Sequence, residues 1–182
     1  MAQRMVALLR GINVGRNKRV QMADLRRLLA DLGYHEIRTH LNSGNAVFSC
    51  PSDAVAGAAE RIEGAIADEL GVQCAVMTRT KAELDRVLVE NPLADVATDP
   101  ARFLVGFLSA PVKPAAARKV AEADYGADQI RIVGKHAYLW CASGVNDSPV
   151  TKLAWSKELG VSVTTRNWTT VGKLAELAAD TG

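Results

Sequence analysis

Met5 to Leu9 is apolar at every position and too short for a helix, which predicts a strand buried on both faces. Leu25, Leu28, Leu29 and Leu32 then recur at helical spacing, with Gly33 as the stop. Ile37 to Leu41 and Asn45 to Phe48 read as two strands joined by a turn at Ser43-Gly44. Pro51-Ser52-Asp53 opens a second helix, capped by Ser52 or Asp53 and running to Leu70 before Gly71, and Val72 to Thr78 reads as a fourth strand. The order strand, helix, strand, strand, helix, strand is the ferredoxin-like one.

A helix over Lys81 to Glu90 ends at Asn91-Pro92, and the aperiodic segment Leu93 to Pro100 marks a boundary. A second series then follows. Its elements are a strand at Phe103–Leu108, a helix at Pro114–Ala123 and a hairpin of Ile130–Val133 with His136–Cys141 around Gly134-Lys135. A helix from Ser148-Pro149 to Leu159, a short strand at Val161–Thr165 and a helix at Trp168–Ala179 complete it. Glu69-Leu70-Gly71-Val72 recurs as Glu158-Leu159-Gly160-Val161, and each copy precedes a Thr-Arg pair (Thr78-Arg79, Thr165-Arg166) and a helix containing Ala-Glu-Leu. Ile37-Arg38 and Ile130-Arg131 each open a hairpin, and the common order of these matches points to a tandem duplication. The fold expected is α+β: two ferredoxin-like βαββαβ halves, residues 1–92 and 93–182, packed into one compact two-lobed body. The all-apolar strands Met5–Leu9 and Phe103–Leu108 need cover on the face without helices, which the other half or a second subunit would supply.

The 182 residues suffice for one large or two small domains, and 48% apolar with 23% charged residues is ordinary for a soluble globular chain. The net charge of +2 does not argue for nucleic acid. Three cysteines (Cys50, Cys74, Cys141) without metal-like spacing fit reduced core thiols, and no apolar run is long enough for a signal peptide or a membrane span. The expectation is a cytoplasmic protein with no membrane partner. His35, His40 and His136 have no neighbour at ligand spacing, so no metal is expected.

Charge is concentrated in one place. Arg10-Gly11-Ile12-Asn13-Val14-Gly15-Arg16-Asn17-Lys18-Arg19 carries four cations, and no acid occurs before Asp24. A strand, a glycine-containing basic loop and a helix N-terminus make an anion site through backbone N–H groups and the helix dipole. In the ferredoxin-like order this loop lies beside the turn His40–Asn45. Arg10, Gly11, Asn13, Gly15 and Lys18 would then face Asn42, Ser43, Gly44 and Asn45 as a cluster of donors with no carboxylate, matched to a small anionic or phosphorylated ligand. The same residues have a plainer reading, in which the glycines only turn the chain, the asparagines bond nearby backbone and the cations are solvated. No dinucleotide or Walker pattern is present, so no cofactor is named.

Arg166, Asn167 and Trp168 form a second candidate, beside the polar connection Ala142–Ser148, although capping of the last helix and core packing explain them more simply. Ser43 with His40 is the one nucleophile–base pair that can be drawn, and no local acid would orient the imidazole, so no catalytic residue is assigned. RNA binding through the sheet would want exposed aromatics, and the central strands supply only Phe48.

Four stretches carry a resemblance: Leu8-Leu9-Arg10-Gly11-Ile12-Asn13-Val14-Gly15, Ser43-Gly44-Asn45, Asn91-Pro92 and Thr165-Arg166-Asn167-Trp168-Thr169-Thr170-Val171. On these the chain resembles the bacterial family catalogued as domain of unknown function 1697, over nearly its whole length. The family pattern usually has Gly-Gly where this chain has Gly15-Arg16, and often Tyr and Gln where it has His40 and Asn42. The resemblance implies an α+β bacterial protein and supplies no mechanism. Three functions follow in order of preference: a module binding a small anionic ligand, a structural or protein-interaction domain without catalysis, and a nucleic-acid binder.

Overall fold

Strand β1 (Ala2–Leu9) pairs antiparallel with both β3 (Asn45–Pro51) and β4 (Val76–Thr80) in the computed structural model, which describes residues 1–179. With β2 (His35–Thr39) outside β3, the sheet order is β2-β3-β1-β4. Helices α1 (Met22–Asp31) and α2 (Ala58–Leu70) place Leu25, Leu28, Leu29, Ile62 and Ile66 in one core with Met5, Ala7, Leu9, Ala46 and Phe48. Alternate side chains of a strand point to opposite faces. Val6, Leu8 and Val47 therefore lie on the face away from these helices, and they are also fully buried, which is why β1 shows no polar alternation.

The second series repeats this arrangement. Strands β5 (Phe103–Leu108), β6 (Gln129–Val133), β7 (His136–Trp140) and β8 (Val163–Asn167) form a sheet in the order β6-β7-β5-β8, with α4 (Pro114–Glu122) and α5 (Trp155–Leu159) between them in sequence. Each series is thus βαββαβ with ferredoxin-like strand order, and each is followed by a helix, α3 (Lys81–Val89) or α6 (Trp168–Ala179). Thr80 and Glu83 cap α3 reciprocally, Thr80 N–H to Glu83 Oε2 (2.8 Å) and Glu83 N–H to Thr80 Oγ1 (3.2 Å). Asn167 Oδ1 caps α6 by accepting the Thr170 N–H (2.8 Å). The shared Glu-Leu-Gly-Val motif ends α2 and α5 alike: Gly71 (φ 65°) and Gly160 (φ 67°) each take the left-handed position after the helix.

By their contacts the described residues form two units, Met1–Arg86 with residues 173–179, and Val87–Gly172. Within the first, Arg4 donates to the carbonyls of Leu177 and Ala178 and to Ser49 Oγ. Within the second, the buried Tyr138 hydroxyl donates to the Val87 carbonyl (2.9 Å), and the Phe103 ring lies tilted against that of Trp168.

Five elements have boundaries that differ from the sequence reading. The second helix starts at Ala58 rather than at Ser52 or Asp53, because Gly57 (φ 77°) breaks the chain and leaves residues Ser52–Ala54 as a separate 3-10 turn. The helix expected from Ser148 to Leu159 is likewise a 3-10 turn (Pro149–Lys152) followed by α5. β4 and β8 lie later than expected, at Val76–Thr80 and Val163–Asn167. Their register is set by β1 and β5: Leu9 pairs with Val76 and Leu108 with Val163, so residues before these run past the end of the partner strand. β2 also ends earlier, at Thr39, with a register shift between His35 and Arg38 and Glu36 at φ 50°.

Candidate functional site

The connection after β1 is twelve residues long, from Arg10 to Gln21, and it is fastened on both sides. Leu9 N–H donates to the Gly44 carbonyl (2.8 Å) and Arg10 N–H to the Ala75 carbonyl (2.9 Å), so the loop emerges between the β2–β3 turn and the approach to β4. Asn13 is its organising residue. Its left-handed backbone (φ 54°) suits asparagine better than most side chains. Its N–H donates to the Lys18 carbonyl (2.9 Å), its Oδ1 accepts the Val20 N–H (2.9 Å), and its Nδ2 donates to the carbonyls of Val20 (2.8 Å) and Asn42 (2.6 Å). The loop and the turn therefore meet directly, with Ile12 and Val20 buried beneath.

Several of the predicted ligand contacts are spent on that architecture. Asn45 is fully buried, and its Nδ2 donates to the His40 carbonyl (2.7 Å) and to Ser43 Oγ (3.0 Å). Gly44 has φ +90°, and a Cβ there would fall 2.7 Å from Leu9 Cβ and 2.8 Å from Ile12 Cδ1, so only glycine fits. Asn42 and Ser43 are exposed on the turn, and Arg10, Gly11, Gly15 and Lys18 are exposed on the loop. Three of the four non-glycine residues with positive φ among the described residues, Asn13, Lys18 and Leu41, belong to this loop and turn. Such backbone strain concentrates where the surrounding structure enforces it for use.

The loop separates two open clefts. One, of about 530 Å³, is lined by Asn13, Arg19, Gln21, Met22, Ala23 and Asn42. It lies at the N-terminus of α1, where Gln21 makes no side-chain cap and the first intrahelical bond is Leu25 N–H to the Gln21 carbonyl (3.0 Å). The first turn of α1 and an arginine thus line one cleft, a combination that favours anions. The other cleft, of about 610 Å³, is lined by Arg10, Gly11, Lys18, Glu63, Gln73 and Cys74. The cluster expected without a carboxylate therefore has one on this side: Glu63, on α2, whose Oε1 accepts the Val76 N–H (2.6 Å). Burial and the nearby Glu63 push the Cys74 thiol up, while Lys18 opposes them. Of the nine predicted residues, Arg10, Gly11 and Lys18 face the second cleft and Asn13 and Asn42 the first, while Gly15, Ser43, Gly44 and Asn45 line neither.

Residues 2–138 match the family model described as protein of unknown function (DUF1697). The chain belongs to this family. One solved structure it is similar to is a conserved bacterial protein from Streptococcus pneumoniae, with 23% sequence identity and a TM-score of 0.73 over 98% of this chain and 99% of that one. At that identity the likeness shows the fold alone. No match is found among curated proteins.

The second candidate cluster of this DUF1697 protein is built into the fold. Arg166 is buried, its Nη1 donates to Thr164 Oγ1 and the Thr165 carbonyl (both 2.8 Å), and burial lowers its pKa to about 10. Asn167 caps α6, and the Trp168 ring lies 4.9 Å from that of Phe103. The neighbouring Ala142–Ser148 connection closes on the buried Asp128, which accepts from Ser148 Oγ and from Ser143 N–H (3.2 Å) and Oγ (3.0 Å). Burial works to raise the Asp128 pKa, and these hydrogen bonds outweigh it, holding the carboxyl below its ordinary 3.8. Among the described residues, no group of three His, Cys, Asp or Glu could hold a metal, and no helix is long and apolar enough to cross a membrane.

Proposed function

We propose that this DUF1697 protein binds a small anionic or phosphorylated ligand in the cleft at the start of α1, against Arg19, Asn42 and the first-turn N–H groups. The observation that carries this reading is the uncapped N-terminus of α1 opening into a cleft with an exposed guanidinium on its wall and no acidic residue lining it. Arg10, Gly11, Gly15 and Lys18 shape the same loop and add to its positive potential, and Asn13, Ser43, Gly44 and Asn45 hold its geometry.

A comparison within the chain supports the reading. The two series, taken as repeats of a duplicated unit over residues 1–92 and 93–182, fasten their first strands alike. Leu108 N–H donates to the Lys135 carbonyl (2.9 Å) and Ser109 N–H to the Ser162 carbonyl (2.9 Å), matching the Leu9 and Arg10 bonds. Between those shared anchors, residues 109–113 connect β5 to α4 where residues 10–21 connect β1 to α1, and Gly134-Lys135 stand where residues 40–44 do. Both of these connections are longer in the first repeat, twelve residues against five and five against two, and both border the proposed site; twelve residues exceeds the usual two to six of a strand–helix connection.

A thermal-shift titration with inorganic phosphate, sulfate and sugar phosphates tests the proposal. A ligand at a hundred times its Kd stabilises by about 2.7 kcal/mol, or roughly 5–10 °C for a chain of this size. Arg19→Ala should remove most of that shift. No stabilisation by any of these anions, or an unchanged shift in Arg19→Ala, refutes the reading. A second reading, a protein-docking edge, is favoured by the exposed Val14 (72%) and Leu41 (55%) on the same loop and turn. It predicts that Val14→Ser with Leu41→Ser abolishes partner binding and leaves anion binding intact.

A further inference from the structure

The cleft on the other side of the loop has a different chemistry. Arg10 and Lys18 line it together with Gln73, Cys74 and the carboxylate of Glu63. Opposite charges lining one cleft can form an ion pair, but among the described residues neither cation pairs with Glu63 or with any other acid. The backbones that carry the two cations, and the Glu63 carboxylate itself, are tied in place. The Arg10 backbone is tied to Ala75 (2.9 Å), Lys18 is held at φ 53° by the bond from Asn13 (2.9 Å), and the Glu63 carboxylate is anchored by the Val76 N–H (2.6 Å). Gly11 adds no side chain to the space between.

We propose that this cleft binds a small zwitterion, a free α-amino acid or the end of a short peptide. Its carboxylate lies toward Arg10 and Lys18 and its ammonium toward Glu63. Such a ligand matches the cations and the carboxylate at once, which neither an anion nor a cation does. The site is separate from the anion cleft at α1 and does not depend on it.

Cys74 reports on occupancy. It is half-buried in this cleft, whereas Cys50 and Cys141 are fully buried, so a thiol reagent applied to the folded protein reaches Cys74 first. The experiment follows iodoacetamide labelling of Cys74 by mass spectrometry in the presence of each free α-amino acid and of simple dipeptides. A bound zwitterion slows labelling by about tenfold at ten times its Kd, the mass-action factor of 1 + [L]/Kd. The N-acetyl and the amide forms of the same amino acid, each lacking one charge, give no protection. Glu63→Gln, which still accepts the Val76 N–H, loses protection, as does Arg10→Ala with Lys18→Ala, while Arg19→Ala keeps it. Continued resistance of Cys50 and Cys141 to labelling shows that each variant is folded. The proposal is overturned if no zwitterion protects Cys74, if the N-acetyl form protects as well as the free amino acid, or if protection survives Glu63→Gln.

Discussion

Gly44→Ala and Gly15→Ala form a pair that measures the loop–turn contact directly. Both glycines have left-handed backbones, φ +90° and φ +65°, so each substitution pays the cost of placing a Cβ in that region, about 1–2 kcal/mol. They differ in surroundings. A Cβ at Gly15 meets nothing within 4 Å, whereas one at Gly44 lands 2.7 Å from Leu9 Cβ and 2.8 Å from Ile12 Cδ1. Leu9 is in the middle of the core and its Cβ cannot move without β1, so relieving this clash adds about 1–3 kcal/mol of overpacking cost. Gly44→Ala should therefore lose about 2–5 kcal/mol in all, some 5–15 °C in Tm for a chain of this length. Gly15→Ala should lose only the backbone part. Urea unfolding followed by far-ultraviolet circular dichroism, with thermal melts in parallel, gives both values. Equal losses in the two variants would mean that the turn does not press on Leu9 and Ile12, and the geometry of both clefts would fall with that contact.

Three further outcomes test the supports of the second unit. Asn167→Ala, which removes the α6 cap, should cost about 1 kcal/mol, measurable by urea unfolding. Asp128→Ala leaves the Ser143 and Ser148 donors unmatched and should cost about 1–3 kcal/mol at neutral pH. Because the folded Asp128 carboxyl titrates below its ordinary 3.8, its stabilisation is complete above that value and lost as the pH falls through the folded pKa; the gap between wild type and variant should close in acid. Burial, followed by the Glu90 carboxylate, pushes the Tyr138 hydroxyl from 10 up to about 12. The unfolded chain releases that proton first, so stability should fall between pH 10 and about 12 in the wild type, and less steeply in Tyr138→Phe. Tyrosinate absorbance should show one of the three tyrosines titrating last.

Apolar runs and helix periodicity were enough to place β5 at Phe103–Leu108 and α6 at Trp168–Ala179, because a run buried on both faces and a capped amphipathic stretch carry their boundaries locally. Register is not local. Val72 looks like a strand residue and does enter the core, yet the β1 ladder ends at Leu9, opposite Val76, so Gln73–Ala75 form no part of it. That slip explains why one cleft was not legible. A strand over Val72–Thr78 puts Gln73 and Cys74 in a ladder instead of beside Arg10 and leaves Glu63 without an evident neighbour. The meeting of loop and turn was legible, because βαββαβ topology alone puts them at one sheet edge. Which asparagines face outward was not. Asn13 and Asn45 carry the same amide as Asn42, and only the backbone angle at Asn13 and the burial of Asn45 assign them to internal bonds.

The twelve-residue loop is not a detachable ornament, and replacing residues 10–21 with the five-residue connection 109–113 of the second unit shows why. Shortening a flexible connection from twelve to five residues lowers closure entropy by only about 0.8 kcal/mol, from (3/2)RT ln(12/5). Against this, the graft removes Ile12 (3% exposed) and Val20 (2%), each worth about 1.5–3 kcal/mol of burial. It also removes Asn13, whose bond to the Asn42 carbonyl holds the β2–β3 turn. The expected net effect is a loss of about 2–5 kcal/mol together with both clefts. A loop that only carried a binding function would leave stability unchanged or slightly improved when removed, as unpacked insertions do. A graft as stable as the wild type in urea would therefore show that Ile12 and Val20 contribute little, and that the loop is held by its ligand rather than by the core.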